Sequence, residues 1–286
     1  MISSRYFAGV DGAASSVERA VAFYEAIKNL PSSTTKVVLQ DHLNLHINGP
    51  FSLRTPNILT AIDEEENQFV VKLLRTDMDR APLDIQRIEF EQEPKTCKIL
   101  ELSSPTVALC ATEVIKVMYE ERSYVALKMP RYLTTLQDTP KAFPRTLVTQ
   151  GRRLADAVCF MHSKNIVHMD IKADNIFISP DKRWVLGDFG SSKVAGERIT
   201  TSNLIAFMRT KLDKAVPELD WFMLLLVLLK ESLATRDSWI KLLCDNDEKY
   251  DATKIEQCIL ALPAEVDSLR DFLLELWCKA ASALVI

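Results

Sequence analysis

The chain has 286 residues, 48% of them hydrophobic and 26% charged, a balance that suits a globular protein of one large domain or two lobes. A formal net charge of -4, with Lys and Arg spread along the chain, argues against a nucleic-acid-binding surface, and six cysteines without a C-x-x-C pair fit reduced, buried thiols better than disulfides or zinc. No presequence pattern opens the chain, and the longest apolar run, Trp221 to Leu229, falls far short of the roughly 20 residues of a membrane span, so a soluble, intracellular protein with no nucleic-acid and no membrane partner is expected, cytoplasmic or nuclear.

In chain order, residues 14–29 (ASSVERAVAFYEAIKN) carry apolar residues at a helical period, and LPSS ends the run. From Val37 to Leu74 the pattern turns to short β-rich runs, KVVLQ, LNLHI, NILTAI and QFVVKLL, punctuated at Asn48-Gly49-Pro50 and at DEEEN. His42 and His46 have an H-x-x-x-H spacing, but in a strand four residues span roughly 13 Å, too far to share one ion. Helical spacing returns over 83–102, where Ile85, Ile88, Gln92, Thr96 and Leu100 trace a stripe with Glu89 and Glu93 beside it, Glu91 further round, and Pro94 as an expected interruption. EVIKVMYEE and SYVALKM read as two strands joined by a polar turn. Beyond Pro130 the chain becomes helical, through TLVTQGRRLADAVCFMHSKN and then from about Asp220 onward, with Pro263 as the main break. There is no internal repeat. The organisation is therefore a helical extension at 1–35, a small β-rich lobe at 36–129 and a larger helical lobe at 130–286, an α+β fold.

Between the two helical stretches lies IVHMDIKADNIFISPDKRWVLGDFG, residues 166–190, which gathers His168, Asp170, Lys172, Asn175 and Asp188 within a few turns of chain. His168-Met169-Asp170-Ile171-Lys172-Ala173-Asp174-Asn175 resembles the H-R-D-x-K-x-x-N loop of the eukaryotic-type protein kinases, and Asp188-Phe189-Gly190 resembles their D-F-G. The intervening residues accommodate two short strands, IFI and WVLG, about the turn SPDK. The resemblance covers roughly residues 36–230 and is strongest between 150 and 190. It implies the bilobal protein-kinase fold, ATP and Mg²⁺ as cosubstrate and cofactor, and a protein hydroxyl as acceptor. Asp170 would orient the attacking hydroxyl, Lys172 would offset charge on the moving phosphoryl group, and Asn175 and Asp188 would hold Mg²⁺. Lys72, mid-strand in QFVVKLLR, stands where the family has its α,β-phosphate lysine, and Glu93 is the favoured partner, unless it belongs to a solvated acidic face. Leu127 would sit behind the adenine, and the backbone from Lys128 through Met129 to Pro130 would be the hinge. Asp220, in KAVPELDWFMLLLVLLKE, resembles the buried Asp that braces the catalytic loop, or else is an N-cap. Lys172 favours the Ser/Thr class.

Three departures stand out. No G-x-G-x-x-G precedes Lys72, and Gly49 is the one glycine of the strand region; the phosphate clamp is expected to be weak. Met169 replaces the Arg before the catalytic Asp, so no cation there can read a phosphate on Ser191, Ser192, Thr200, Thr201 or Ser202, although Lys193 and Arg198 lie nearby. The segment SSKVAGERITTSNLIAF lacks a clear A-P-E, with Val216-Pro217-Glu218 too close to Asp220 to fill that place comfortably. A catalytically weak pseudokinase that acts as a binding module, and a small-molecule kinase, are the alternatives. Compact divergent members of the family occur in viruses and among microbial effectors, so delivery into a host cell belongs with the localisation expectation.

Overall fold

The computed structural model describes residues 46–50, 58–74, 84–119, 122–199, 212–233, 242–245 and 247–281. The predicted helix at 14–29, the strand KVVLQ and His42 lie outside them. Two compact units are present, the first comprising 1–90, 101–104 and 111–131, the second 91–100, 105–110 and 132–286.

The first unit is an antiparallel sheet of β1 (His46–Pro50), β2 (Ile58–Ile62), β3 (Gln68–Leu74), β4 (Glu113–Tyr119) and β5 (Arg122–Pro130), in the order β1-β2-β3-β5-β4. Alternation drives it: Leu59 and Ala61 of β2 are buried between half-exposed neighbours, and Val71 of β3 and Leu127 of β5 are fully buried. One expectation is corrected. Asn48-Gly49-Pro50 is not a turn outside the strands but the last part of β1, with Gly49 and Pro50 paired to β2 and the register shifting between Ile47 and Gly49. The bulge absorbs the extra residue, and an edge strand tolerates a proline that cannot donate to a ladder.

Helix α1 (Asp84–Ile99) runs straight through Pro94, contrary to the expected break. Its buried face explains why: Glu93, Thr96, Cys97 and Leu100 are buried at helical spacing to either side of the proline, so packing offsets the one lost backbone bond.

The second unit is built on α2 (Pro144–Ser163), α3 (Pro217–Ser232), α4 (Ala252–Leu260) and α5 (Asp267–Ala280). Prolines open α2 and α3 at their first positions, where a missing N–H costs nothing, and Asp251 caps α4 by accepting from the amides of Thr253 and Lys254. The apolar run Trp221 to Leu229 is the middle of α3, buried on every side, which makes α3 the central helix of this unit. Helix α2 meets it through Gly151: a Cβ there would come within 2.7 Å of Phe272 Cε1 and 2.9 Å of Leu228 Cδ1, so α2, α3 and α5 pack at glycine distance. Short strands complete the unit: β6 (Thr134–Thr135), β8 (Ile176–Ile178) and β9 (Trp184–Leu186) form one sheet, and β7 (Ile166–Val167) pairs with β10 (Lys193–Val194). All six cysteines are free, and no helix among the described residues is long and apolar enough to cross a membrane.

Near the end of α3, Lys230 donates to the Tyr250 hydroxyl at 3.1 Å, and Tyr250 stands edge-on to Phe222. Burial pulls the Lys230 ammonium down to about 8 from the ordinary 10.5. Between those two values the folded protein has released the proton that the unfolded chain still binds, so this group makes stability rise with pH. Tyr250, held up by burial, and Cys244, also raised by burial, act with the opposite sign at higher pH, so the comparison must be with a variant. Relative to Lys230→Met, the wild type should gain about 2 kcal/mol of unfolding free energy between pH of about 7.5 and 10, measured by urea titration. Parallel curves for the two proteins would contradict the assignment.

Candidate active site

The site of the second unit starts where α2 stops. Lys164 and Asn165 turn the chain back with Asn165 at φ 60°, β7 follows, and residues 168–175 form a loop that returns through a 3₁₀ turn, Ala173–Asn175, into β8. This loop is held by side chains. Asp220 is fully buried in the first turn of α3, with its Oδ2 accepting from His168 N at 2.7 Å and its Oδ1 from Met169 N at 2.9 Å. His162 Nε2, from α2, lies 2.9 Å from Oδ2 of the same carboxylate. The N-cap reading of Asp220 is thereby corrected: Val216 occupies the cap, and the Asp220 carboxylate serves the loop.

His168 is fully buried, and burial holds its ring below the ordinary imidazole range, so it is neutral near pH 7. A single tautomer satisfies both nitrogens: Nε2–H donates to Gly187 O at 3.2 Å and Nδ1 accepts from Asp170 N at 3.3 Å. The ring also rests against Phe189, with centroids 5.4 Å apart. His168 thus ties the Asp170 loop to the Gly187-Asp188-Phe189 run.

Around Asp170 the polar groups converge. Lys172 Nζ donates to Oδ2 at 2.6 Å, and Asn175 Nδ2 donates to Oδ2 at 2.9 Å and to the Asp170 carbonyl at 2.8 Å. Burial pushes the Asp170 carboxyl up, and Lys172 offsets this only in part, while Asp188 pushes it further up. Burial pulls Lys172 down, but the carboxylates of Asp170, Asp188 and Asp174 outweigh it, leaving a net rise.

The β8–β9 hairpin delivers Asp188 to the same neighbourhood. Gly187 fits tightly, since a Cβ would come within 2.6 Å of the Phe177 ring and 2.9 Å of Cys110 Cβ. Asp188 adopts the left-handed region, φ 61° and ψ 77°, a conformation that a non-glycine residue holds only when its surroundings enforce it. A Cβ at Gly190 would lie 3.6 Å from both Asp188 Oδ1 and Glu93 Oε2. Glu93, 3% exposed, is therefore a buried carboxylate beside Asp188-Phe189-Gly190, not part of a solvated face.

The other predicted residues come together within the first unit. Lys72 on β3 is the cross-strand partner of Leu127 on β5, and Val70 that of Met129. Residues 51–57, FSLRTPN, connect β1 to β2 without a glycine.

Past Asp188-Phe189-Gly190, backbone bonds join the two ends of the following segment: Gly196 N donates to Ala215 O, Ala215 N to Glu197 O, and Ile199 N to Asp213 O, each at 2.8 Å. Gly196 makes the turn at φ 88°. Val216 caps α3 and Pro217-Glu218 start it, so these residues are the beginning of the central helix and not a separate A-P-E element. Two further expectations are corrected. Ser192 is fully buried, its hydroxyl on His168 O at 3.5 Å, and Lys193 is 5% exposed, so neither is a surface group open to modification or to a phosphate. Thr200, Thr201 and Ser202 lie outside the described residues. Single-sequence reasoning missed His162, Gly187 and Met223, whose Sδ accepts from Ile171 N; His162 could have been found from its place six residues before His168 on the amphipathic helix.

Comparison with known proteins agrees with this geometry. Over 78 residues the chain is 37% identical to a serine/threonine-protein kinase US3 homolog of Gallid herpesvirus 2 (strain GA), a match to 26% of this chain and 19% of that protein. Over 85 residues it is 34% identical to cyclin-dependent kinase 1 of Encephalitozoon cuniculi, covering 29% of each. The chain thus matches less than a third of the length of these curated relatives. The solved structure of the Cydia pomonella granulovirus kinase PK-1 superposes with a TM-score of 0.59 over 88% of this chain and 94% of that one, a likeness of fold at 14% identity. The family model for the protein kinase domain matches residues 58–211, more than half of the chain, and the Asp170, Asn175 and Asp188 cluster lies inside that span: the chain belongs to the protein kinase family.

Proposed function

We propose that the protein is an ATP-dependent serine/threonine protein kinase, with Asp170 and Lys172 as its catalytic residues. The observation that carries this reading is the convergence on Asp170 of Lys172 and Asn175, with Asp188 close enough to shift both Asp170 and Lys172. Asp170 Oδ2 is engaged by the lysine and the amide, which leaves Oδ1 to accept the hydrogen of an attacking hydroxyl. Its raised pKa makes it a better proton acceptor than a solvated carboxylate. Lys172 supplies a cation at the same point, where charge moves between oxygens.

Asn175 and Asp188 would hold Mg²⁺. Both amide hydrogens of Asn175 are used on Asp170, which leaves its side-chain oxygen as the atom that would ligate, and with the Asp188 carboxylate it would make the hard-oxygen pair that Mg²⁺ takes together with phosphate oxygens. When bound, the ion neutralises phosphate charge. In the first unit, Lys72 is assigned to the α- and β-phosphates, and Leu127 and the Met129 backbone are assigned to the adenine.

The Ser/Thr class rests on Lys172 and on the names of the relatives. Asp170→Ala should retain nucleotide binding and lose turnover by at least about a hundredfold, whereas Asp188→Ala should lose both turnover and Mg²⁺-dependent nucleotide binding. Phosphate transfer from radiolabelled ATP and calorimetry measure the two. Unreduced turnover in either variant rejects the kinase reading, and nucleotide binding without transfer in the wild type favours the pseudokinase.

Regulation is proposed to bypass phosphorylation of the segment after Asp188-Phe189-Gly190. Met169 offers no cation, and the ends of the segment are joined by backbone bonds that need no phosphate. Replacing Thr200, Thr201 and Ser202 together by Ala should leave the initial rate within about threefold, under ~1 kcal/mol of barrier. A loss of about a hundredfold, matched by phosphatase treatment of the wild type, would show that a phosphate switch exists.

A further inference from the structure

Four consecutive backbone amides run through the loop that carries Asp170, and each ends on a side-chain acceptor. His168 N and Met169 N reach the Asp220 carboxylate, Asp170 N reaches His168 Nδ1, and Ile171 N reaches Met223 Sδ at 3.3 Å. We infer that Met223 is a positioning residue for phosphotransfer: its thioether fixes the peptide between Asp170 and Lys172 and so holds those two side chains in register. This rests on the assignment of Asp170 and Lys172 proposed above.

Asp220 and Met223 are three residues apart on α3 and therefore face the same way, so one helix face presents both a carboxylate and a sulfur to the loop. Each acceptor takes what the other cannot reach. The Ile171 amide is sealed off, with Ile171 4% and Met223 3% exposed, and water is not available to replace the sulfur. Lys172 Nζ meets Asp170 Oδ2 at 2.6 Å, so residues 170 and 172 present their side chains to one side of the loop. Ile171, between them, points the other way into the core. Rotation of its peptide would swing the flanking carboxylate and ammonium apart. Leucine would fill the space of Met223 about as well, so packing alone does not call for sulfur here.

The test compares wild type, Met223→Leu, which keeps the bulk and removes the acceptor, and Met223→Gln, which restores an acceptor at similar length. Amide hydrogen exchange is read by NMR at His168, Met169 and Ile171, and kcat and the KM for ATP are measured separately. In Met223→Leu, Ile171 should exchange at least about tenfold faster while His168 and Met169 hold, and kcat should drop about five- to tenfold with KM for ATP within about twofold. Met223→Gln should recover most of both. Unchanged exchange at Ile171 overturns the inference, as does a uniform loss of protection across all three amides together with a lower melting temperature, which is the mark of plain core damage. A Met223→Gln protein that melts like the wild type but keeps the kcat of Met223→Leu overturns it too. If the wild type transfers no phosphate, the kinase reading fails by itself, and the exchange data still show whether the sulfur holds the loop.

Discussion

A fully buried carboxylate is costly unless its oxygens are taken, and the Asp220 carboxylate is taken by the amides of His168 and Met169 and by the ring of His162. The partners come from two places: the loop, which supplies the two N–H groups, and α2, which brings His162. The carboxylate thus joins the two principal helices of the second unit to the loop between them. It also holds Met169 at φ 69°, a left-handed conformation that would relax if the two amides were released. From there the order passes along covalent and hydrogen-bonded steps, from Met169 to His168, from the His168 ring to Gly187 O, and on to Asp188. The two carboxylates of the site share one frame because a third, outside the chemistry, is buried beneath them.

Replacing an Arg with Met at position 169 belongs to this same frame. A guanidinium at that place would need a partner in a buried setting, whereas the methionine side chain is 1% exposed and needs none. The two ends of the segment that such a cation would help to order are joined by backbone bonds, from Gly196 to Ile199 against Asp213 to Ala215. Its exit is short as well, because Val216 caps α3 directly, only four residues before Asp220. Apolar burial at Met169 and an early start to the central helix are consistent choices: both replace charge-dependent order with packing and backbone bonds.

The parts legible in the sequence were those where local pattern and final packing agree. The β8–β9 hairpin, α2 and the β4–β5 pair follow from alternation or helical period, and the residues around Asp170 from fixed spacing. What could not be read depends on contacts made at a distance. Pro94 breaks a helix in isolation, but here the buried face on both sides of it keeps the helix going. Asn48-Gly49-Pro50 has the composition of a turn, yet an edge strand with a bulge accepts it. Ser192 and Lys193 look like surface groups by type and are buried by their place next to His168 and Val167. Met223 sits in an unbroken apolar run, where nothing local distinguishes a sulfur that accepts a hydrogen bond from one that fills space.

Charge decides what the assembled site can receive. Asp188 lies close enough to raise the cost of ionising Asp170, the Glu93 carboxylate lies beside Gly190, and Asp174 acts on Lys172 as well. Lys172 is hydrogen-bonded to Asp170 within this group, and Asn175 is neutral. Burial weakens the screening by water here, so each of these charges acts strongly on its neighbours. On the proposed reading two hard oxygens, the Asp188 carboxylate and the Asn175 amide, would favour a small divalent cation over further lysine side chains. On the proposed reading the cation would arrive with the nucleotide's phosphates, and Lys172, held 2.6 Å from Asp170, would serve the moving phosphoryl group and not the nucleotide at rest.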